Sequence, residues 1–470
     1  MSTLILGYGK TGRALYDYIL SANNYGKNEP VLIYDDIAEA FSQPNKNYLF
    51  FNKTNEDILF DKHFENIKQC VVSPGIERNH KIILKLKKHN IPVYSEIEFA
   101  YNELKNSSKI IAVTGTNGKT TTATLCKSAV DKAGLIAETF VGGNLGVPFI
   151  SGIKNYKDFI LEISSFQLEW IYNFKPDIAV LLNVEDDHLD RYENFDEYRL
   201  TKYKLFKNLK YSDVAVLNFD DRNSSILKGI TGSNAVLCGY DEKKCDVYYK
   251  NDAVNLRLKD ICGFNASISL KNVKDKRKFV IDDMMAAACS LMLYGISPDI
   301  IVSAFEEYKL LQHRVEYVGN IGDIEFYDDS KATNPAAVIS ALQSFRVDDK
   351  KNKDIVLILG GKDKGFNYEC MIQPIKNSVK ACVLMGETKD ILRDVLQEHI
   401  ELFTADDMED AVKKSFDYLM NYYNSRETGT GAVLLSPASS SFDMFADYNE
   451  RGDIFKKCYR KLKDNFADKI

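Results

Sequence analysis

Thr114-Gly115-Thr116-Asn117-Gly118-Lys119-Thr120-Thr121 has the residue types and spacing of a phosphate cradle. It follows an apolar run, Lys109 to Val113, that reads as a strand, and it opens a run, Ala123 to Val130, that reads as a helix. A glycine-rich turn in that place aims backbone N–H groups at an anion, at the positive end of a helix dipole. A lysine then reaches the terminal phosphates and a threonine hydroxyl serves Mg²⁺. The usual loop has a glycine five residues before the Gly-Lys pair. Here that position is Val113, and the extra glycine is Gly115. The loop is therefore a shortened form. The plainer alternative is a glycine turn that only caps a helix.

Glu162 stands inside an apolar strand, Phe159 to Ile163. A carboxylate at the end of a strand in the same sheet suits Mg²⁺ beside a bound nucleotide. The run Asn183-Val184-Glu185-Asp186-Asp187-His188-Leu189-Asp190 follows another apolar strand, Ile178 to Leu182. Acids and a histidine collect there at a strand's C-terminal end, where open α/β sheets bind ligands. Lys202, in a helical run, reads by itself as a solvated lysine. Upstream, Gly7-x-Gly9-x-x-Gly12 after a strand, with Asp35 closing the next one, copies a dinucleotide fingerprint. The physics specifies only a diphosphate on a helix N-terminus, which a UDP-sugar supplies as well as NAD does. A second nucleotide loop downstream favours an NTP-driven enzyme over a dehydrogenase.

These groups need sheets to hold them. Thr3 to Leu6, Val31 to Tyr34 and Cys70 to Val72 read as strands, with a helix to about Leu20 and a turn at Ser73-Pro74-Gly75. Glu96 to Ser108 reads as a helix running into the polar linker Lys105 to Ser108. The phosphate-loop strand, Phe159 to Ile163, Ile178 to Leu182 and Val214 to Leu217 are continuous apolar runs, as expected for a parallel sheet buried on both faces. Ala286 to Leu293 reads as a buried helix. Strand–helix alternation resumes at Ile324 to Tyr327, Ile355 to Leu359, Ala381 to Leu384 and Val433 to Leu435. From about Asp220 to Lys278 the chain reads as polar and loop-rich. The expectation is α/β architecture with domains over 1–105, 106–311 and 312–470.

A length of 470 residues suits about three domains. The hydrophobic share of 45% and charged share of 27% fit a globular chain, and a net charge of −6 argues against a nucleic-acid surface. Nine cysteines without a CxxC pair fit reduced thiols better than disulfides or zinc. The opening MSTLILGYGKTG has no basic n-region, and its apolar run is too short for a signal peptide or membrane span. A cytoplasmic monomer acting on small molecules is expected, without nucleic acid or membrane.

GTNGKTTT, the run Leu161 to Glu169 (LEISSFQLE), and Asn183 to Tyr192 (NVEDDHLDRY) together resemble the Mur ligases of peptidoglycan synthesis. So do Gly142-Gly143-Asn144, His313-Arg314 and Asp328 to Pro335 (DDSKATNP). The resemblance spans all three domains. It implies a Rossmann-like N-terminal domain for UDP, a central P-loop ATPase-like domain with a parallel or mixed sheet, and a Rossmann-like C-terminal domain. GYGKTG and the segment Ser436 to Gly452 look like the member that adds D-glutamate to UDP-N-acetylmuramoyl-L-alanine through an acyl phosphate.

On that resemblance, Lys10, Thr11, Asp35, Ser73, Pro74 and Gly75 hold the UDP-sugar. The loop Gly115, Thr116, Asn117, Gly118, Lys119, Thr120 and Thr121 holds ATP, with Asn144 at adenine. Thr120 and Glu162 bind one Mg²⁺, and His188 and Lys202 a second, with Lys202 carbamylated. Ser164 and Gln167 contact the muramoyl-alanine arm. Arg314, Asp329 and Lys331 reach ATP, while Thr333, Lys364, Ser441, Phe442 and Tyr448 hold D-glutamate. One departure stands out. Where the family has His-Asn-x-x-Asn near adenine, this chain has Val280 and Asp283, which leaves the contacts of that segment open. Rival readings are another amide ligase of the superfamily (adding L-alanine, or glutamate to a folate), an NAD(P) oxidoreductase using the Gly7 loop, and a P-loop switch protein without ligase activity.

Overall fold

Three separate sheets carry the chain, each ending in loops that bear the residues singled out above. The structure, a computed structural model, describes residues 2–22, 30–36, 48–104, 107–144, 146–188, 191–219, 227, 229, 234–309, 311–345, 354–424 and 430–467. Lys105 and Asn106 of the expected linker, Leu189 and Asp190 of the acidic run, and part of the stretch after Asp220 lie outside the described residues.

The first sheet has five parallel strands in the order Tyr48–Phe51, Val31–Tyr34, Ser2–Leu6, Ile67–Val72, Val93–Ser95. The second has nine, in the order Phe264–Ser269, Ala253–Leu258, Val247–Lys250, Asn234–Gly239, Val214–Asn218, Ile178–Leu181, Ile110–Thr114, Asp158–Glu162, Thr139–Gly143. Its pairs are parallel except for the antiparallel meander Val247–Lys250, Ala253–Leu258, Phe264–Ser269. The third has six, in the order Glu316–Ile321, Ile324–Asp328, Gly431–Leu435, Asp354–Leu359, Val379–Leu384, Glu401–Thr404, antiparallel only at its first pair.

The central strands are apolar along their whole length because helices cover both faces. Ile110–Thr114 and Ile178–Leu181 are buried at every position. The meander differs: its strands mix buried and exposed positions, so Ala253–Leu258 alternates and carries no continuous apolar run. That is why the stretch after Asp220 reads as loop in the sequence but contains paired strands.

By their contacts, the residues fall into two compact units. One comprises Met1–Val184, Asp196–Lys274 and Asp282–Tyr308; the other comprises Glu185–Phe195, Asp275–Ile281 and Lys309–Ile470. The first two sheets share the first unit. Buried Glu98 contributes to joining them: its carboxylate accepts the backbone N–H groups of Tyr172, Asn173 and Phe174 at 2.8–2.9 Å. Ser95 fixes the start of the helix Glu96–Glu103 by accepting from Glu98 N at 3.3 Å. Among the described residues, no helix is long and apolar enough to cross a membrane.

Candidate active site

The phosphate loop forms where the strand Ile110–Thr114 gives way to the helix Lys119–Lys132. The helix begins four residues earlier than the apolar run suggests, at Lys119 itself. Gly118 caps it in the left-handed region at φ +87°. A Cβ there would collide with the Asp283 carboxylate, so only glycine fits without displacement. Asp283 thus lies against the phosphate loop. Val280 is wholly buried and contributes no polar group.

The loop is clipped to the neighbouring strand end. Asn117 N donates to Asn183 Oδ1 at 2.8 Å, Asn183 Nδ2 returns a bond to Asn117 O at 3.2 Å, and Thr116 N donates to Asn183 O at 3.0 Å. Lys119 Nζ folds back onto the carbonyls of Gly115 and Thr116, at 2.8 and 2.9 Å. Lys202, far from a solvated helix lysine, is 1% exposed and donates to the same Gly115 carbonyl at 2.9 Å. Its ammonium lies 4.6 Å from the Tyr198 ring, whose hydroxyl meets Thr116 Oγ1 at 3.0 Å. The sequence-predicted Lys119 and Lys202 therefore meet at one carbonyl of one loop.

Glu162 closes the adjacent strand, in register with Val113. It is 2% exposed. Asn144 Nδ2 donates to its Oε1 at 2.7 Å, while Oε2 is buried without a hydrogen-bonding partner among the described residues. A buried carboxylate oxygen with no donor is costly unless a cation faces it. Together with the Thr120 position on the helix's first turn, this donor set fits Mg²⁺. Asn144, expected at adenine, is bonded to this carboxylate. Ser164 and Gln167 form a reciprocal capping box at the head of the helix Ser165–Leu168.

At the first sheet, Gly7 sits at φ +93°, and a Cβ there would come within 2.8 Å of Ser73 Cβ. Tyr8 N donates to Asp35 Oδ2 at 2.6 Å, and Ser73 Oγ donates to Gly7 O at 2.9 Å. Asp35 and Ser73 are thus brought to the glycine turn. Lys10 is exposed at the head of the helix Lys10–Ser21, and Thr11 is half-buried beside it. A cavity of about 830 Å³ opens along this helix, lined among others by Gly9, Lys10, Arg13, Pro148 and Lys154.

In the second unit, His188 adopts φ +56° and its N–H donates to Asp187 Oδ1 at 2.8 Å. Asp187 also receives Asn334 Nδ2 at 3.3 Å and lies 3.7 Å from Lys364 Nζ. Asp329 is buried: its Oδ2 accepts from Ser436 Oγ at 2.7 Å and its Oδ1 from Val315 N at 3.1 Å, and burial pushes its carboxyl up to about 7. Lys331 Nζ lies 3.5 Å from the Tyr448 ring, so two more predicted residues meet. Thr333 N donates to Lys331 O at 2.9 Å. Ser441 is buried, whereas Phe442 is 70% exposed. His313 pairs with Asp328 at 2.7 Å, and Lys456 stands 2.7 Å from Glu316 and 3.6 Å from Asp328. That ammonium occupies the cation position of the His313, Glu316, Asp328 cluster.

Sequence reasoning missed Asn183, Asp187, Tyr198 and Arg451. Asn183 and Asp187 stood in a run already marked as chemical, and Arg451 in the segment Ser436 to Gly452, but none of the four was singled out.

Residues 113–291 match the family model described as Mur ligase middle domain, and residues 313–424 match Mur ligase, glutamate ligase domain. A protein of Geotalea uraniireducens called UDP-N-acetylmuramoylalanine--D-glutamate ligase is 37% identical over 400 residues, covering 84% of this chain and 83% of the relative. One of Thermoanaerobacter pseudethanolicus with the same name is 33% identical over 479 residues, covering 98% of each. The fold is similar to that of MurF ligase from Thermotoga maritima in complex with ADP, with TM-score 0.56, 17% identity, and coverage of 92% of this chain and 96% of that one. With the phosphate loop, the buried Glu162 and the three sheets in place, these likenesses settle the kinship: the chain belongs to the Mur ligase family.

Proposed function

We propose that the chain is an ATP-dependent ligase that joins D-glutamate to UDP-N-acetylmuramoyl-L-alanine in peptidoglycan precursor synthesis. The observation that carries the chemistry is the buried Glu162 Oε2, without a hydrogen-bonding partner among the described residues, on the strand beside the phosphate loop. The relatives named for D-glutamate ligation, at 31–37% identity, support the choice of substrate. The reading places the work in the cytoplasm, in a monomer with domains over 1–105, 106–311 and 312–470.

In this reading Lys10, Thr11, Asp35 and the Ser73 turn hold the UDP-sugar, and the loop from Gly115 to Thr121 holds ATP. Thr120 and Glu162 hold one Mg²⁺; His188 and Lys202, the latter as a carbamate, hold another. Bound there, magnesium neutralises charge on the phosphoryl group in flight. A carboxylate is a poor electrophile for an amine, so ATP phosphorylates the alanyl carboxyl. The D-glutamate amine then attacks the acyl phosphate, and phosphate leaves. Lys119 leaves its loop carbonyls to reach the transferred phosphate. Asn144 keeps Glu162 aimed. Arg314, Asp329 and Lys331 serve ATP, while Thr333, Lys364, Ser441, Phe442 and Tyr448 hold the amino acid.

The test is ADP release with UDP-N-acetylmuramoyl-L-alanine, D-glutamate and Mg²⁺, each omitted in turn. Full release should need all three. Stimulation by L-alanine with UDP-N-acetylmuramate instead would move the chain to another amide ligase.

A further inference from the structure

In the second unit, two strand-end loops lie side by side because their strands, Ile324–Asp328 and Gly431–Leu435, are paired. One continues through Asp329, Ser330 and Lys331; the other through Pro437, Ala438, Ser439, Ser440 and Ser441. Between them runs a single guanidinium from the helix Tyr448–Ala467. Arg451 Nε donates to Ser330 Oγ at 2.9 Å and Nη2 to Ser330 O at 2.8 Å. Nη1 forks to Ser439 O at 3.0 Å and Ser440 O at 3.2 Å. The side chain is 1% exposed, and burial lowers its pKa to about 10. A buried cation is expensive. Here its partners are the backbone and hydroxyl groups of the two loops, so its charge is spent on holding them in place.

We infer that Arg451 is a positioning residue for the amino-acid substrate, holding the Ser439–Ser441 loop in register with the Asp329–Lys331 loop. The inference rests on the assignment of Ser441 and Phe442 to that substrate. The two loops depend on Arg451 unequally. The Asp329–Lys331 loop has other anchors: Asp329 N to Leu435 O, Ser330 N to Asp328 Oδ1, Lys331 N to His313 O, and both Asp329 carboxylate oxygens. The other loop is held by Gly360 N to Pro437 O, Lys362 N to Ser440 O, Met444 N and Phe445 N to Ser441 O, and the Ser439 hydroxyl contacts with Tyr368 and Thr388, so what sets it apart is backbone strain rather than a lack of anchors. It contains Ala438 at φ +61°, a left-handed conformation that a non-glycine residue keeps only when its surroundings impose it. Removing the guanidinium lets this loop relax first.

The test uses the full chain with Arg451→Lys, whose single ammonium cannot fork to both loops, and Arg451→Met as its apolar counterpart. The KM values for D-glutamate and for ATP are measured beside the thermal transition. A displacement of about 1 Å can cost on the order of 10²-fold. The expected result is a rise of at least about tenfold in KM for D-glutamate, with KM for ATP within about twofold of wild type. Should both variants fail to fold, Ser330→Ala removes one of the four bonds, together with the Ser330 Oγ bond to Tyr448 O at 2.8 Å, and should move the same KM in the same direction. Equal changes in both constants, or a change in neither, overturns the inference. Wild type separates this from the substrate assignment: if it responds to another amino acid, the assignment fails, and the same split is read with that amino acid.

Discussion

Asn144 and Glu162, on adjacent strand ends, share one hydrogen bond of 2.7 Å, which occupies one carboxylate oxygen and leaves the other buried, with no hydrogen-bonding partner among the described residues. In the proposed function Glu162 holds Mg²⁺, and an amide in that place would orient its carboxylate. Partners of this kind are worth about 10–100-fold in metal affinity. Asn144→Ala should therefore raise the Mg²⁺ concentration for half-maximal ADP release by about that factor, and Glu162→Gln by more. An unchanged Mg²⁺ titration in Glu162→Gln would remove the metal from this carboxylate.

Lys119→Ala tests the loop's own cation. Lys119 Nζ donates to the loop carbonyls of Gly115 and Thr116 at 2.8 and 2.9 Å, and its side chain is half-buried rather than part of the core. Loss of one positioned charge-stabilising donor costs about 10²–10³-fold in kcat. The melting temperature should hold while kcat falls by at least that factor. Turnover within about threefold of wild type would contradict the phosphoryl-transfer role.

Glu96 supplies a pH dependence unconnected with catalysis. It is fully buried, accepts from Ile150 N at 2.6 Å through Oε1, and has no hydrogen-bonding partner at Oε2 among the described residues. Burial raises its pKa from an ordinary 4.5 to about 7. The native state thus binds a proton that the unfolded chain releases. Its contribution is complete below about pH 4.5 and is lost as pH rises to about 7, by at most about 1.4 kcal/mol per pH unit. Asp329, also raised to about 7, acts in the same direction. Glu96→Gln removes the first of these. Relative to wild type, its stability in urea should improve between pH 5 and pH 7.5. A constant difference between the two proteins across that range would rule out titration of Glu96.

What the sequence disclosed follows from how local each signal is. Val31–Tyr34 is legible to the residue because it is a short apolar run between polar ones. The helix at the phosphate loop reads four residues short because Lys119 to Thr122 is mostly threonine, a poor helix former, and its start is dictated by Gly118. Motif residues such as Lys119 and Glu162 are legible because strand–loop–helix order places them. Their partners are not: Asn144 meets Glu162, Asp187 meets Asn334 and Lys364, and Arg451 meets Ser330 only through sheet pairing and loop closure. Lys202 was readable only by resemblance, since nothing in a helical run marks a lysine for burial.

The last prediction concerns the room left for His313. His313 has φ +62° and pairs with Asp328, and Gly452 lies directly against that pair. A Cβ on Gly452 would come within 2.7 Å of Asp328 Oδ2 and closer still to His313 Nδ1. Overpacking a filled site costs about 1–3 kcal/mol. Gly452→Ala should destabilise the chain by that amount. It should also lower kcat, because His313 O accepts from Lys331 N at 3.1 Å and Arg314 follows His313 in the chain. Neighbouring substitutions that share one space are not additive. His313→Ala vacates the volume that the new methyl would enter, so the double variant should lose less stability than the two single losses combined. Strict additivity in urea unfolding would mean that the glycine is not there to accommodate the histidine.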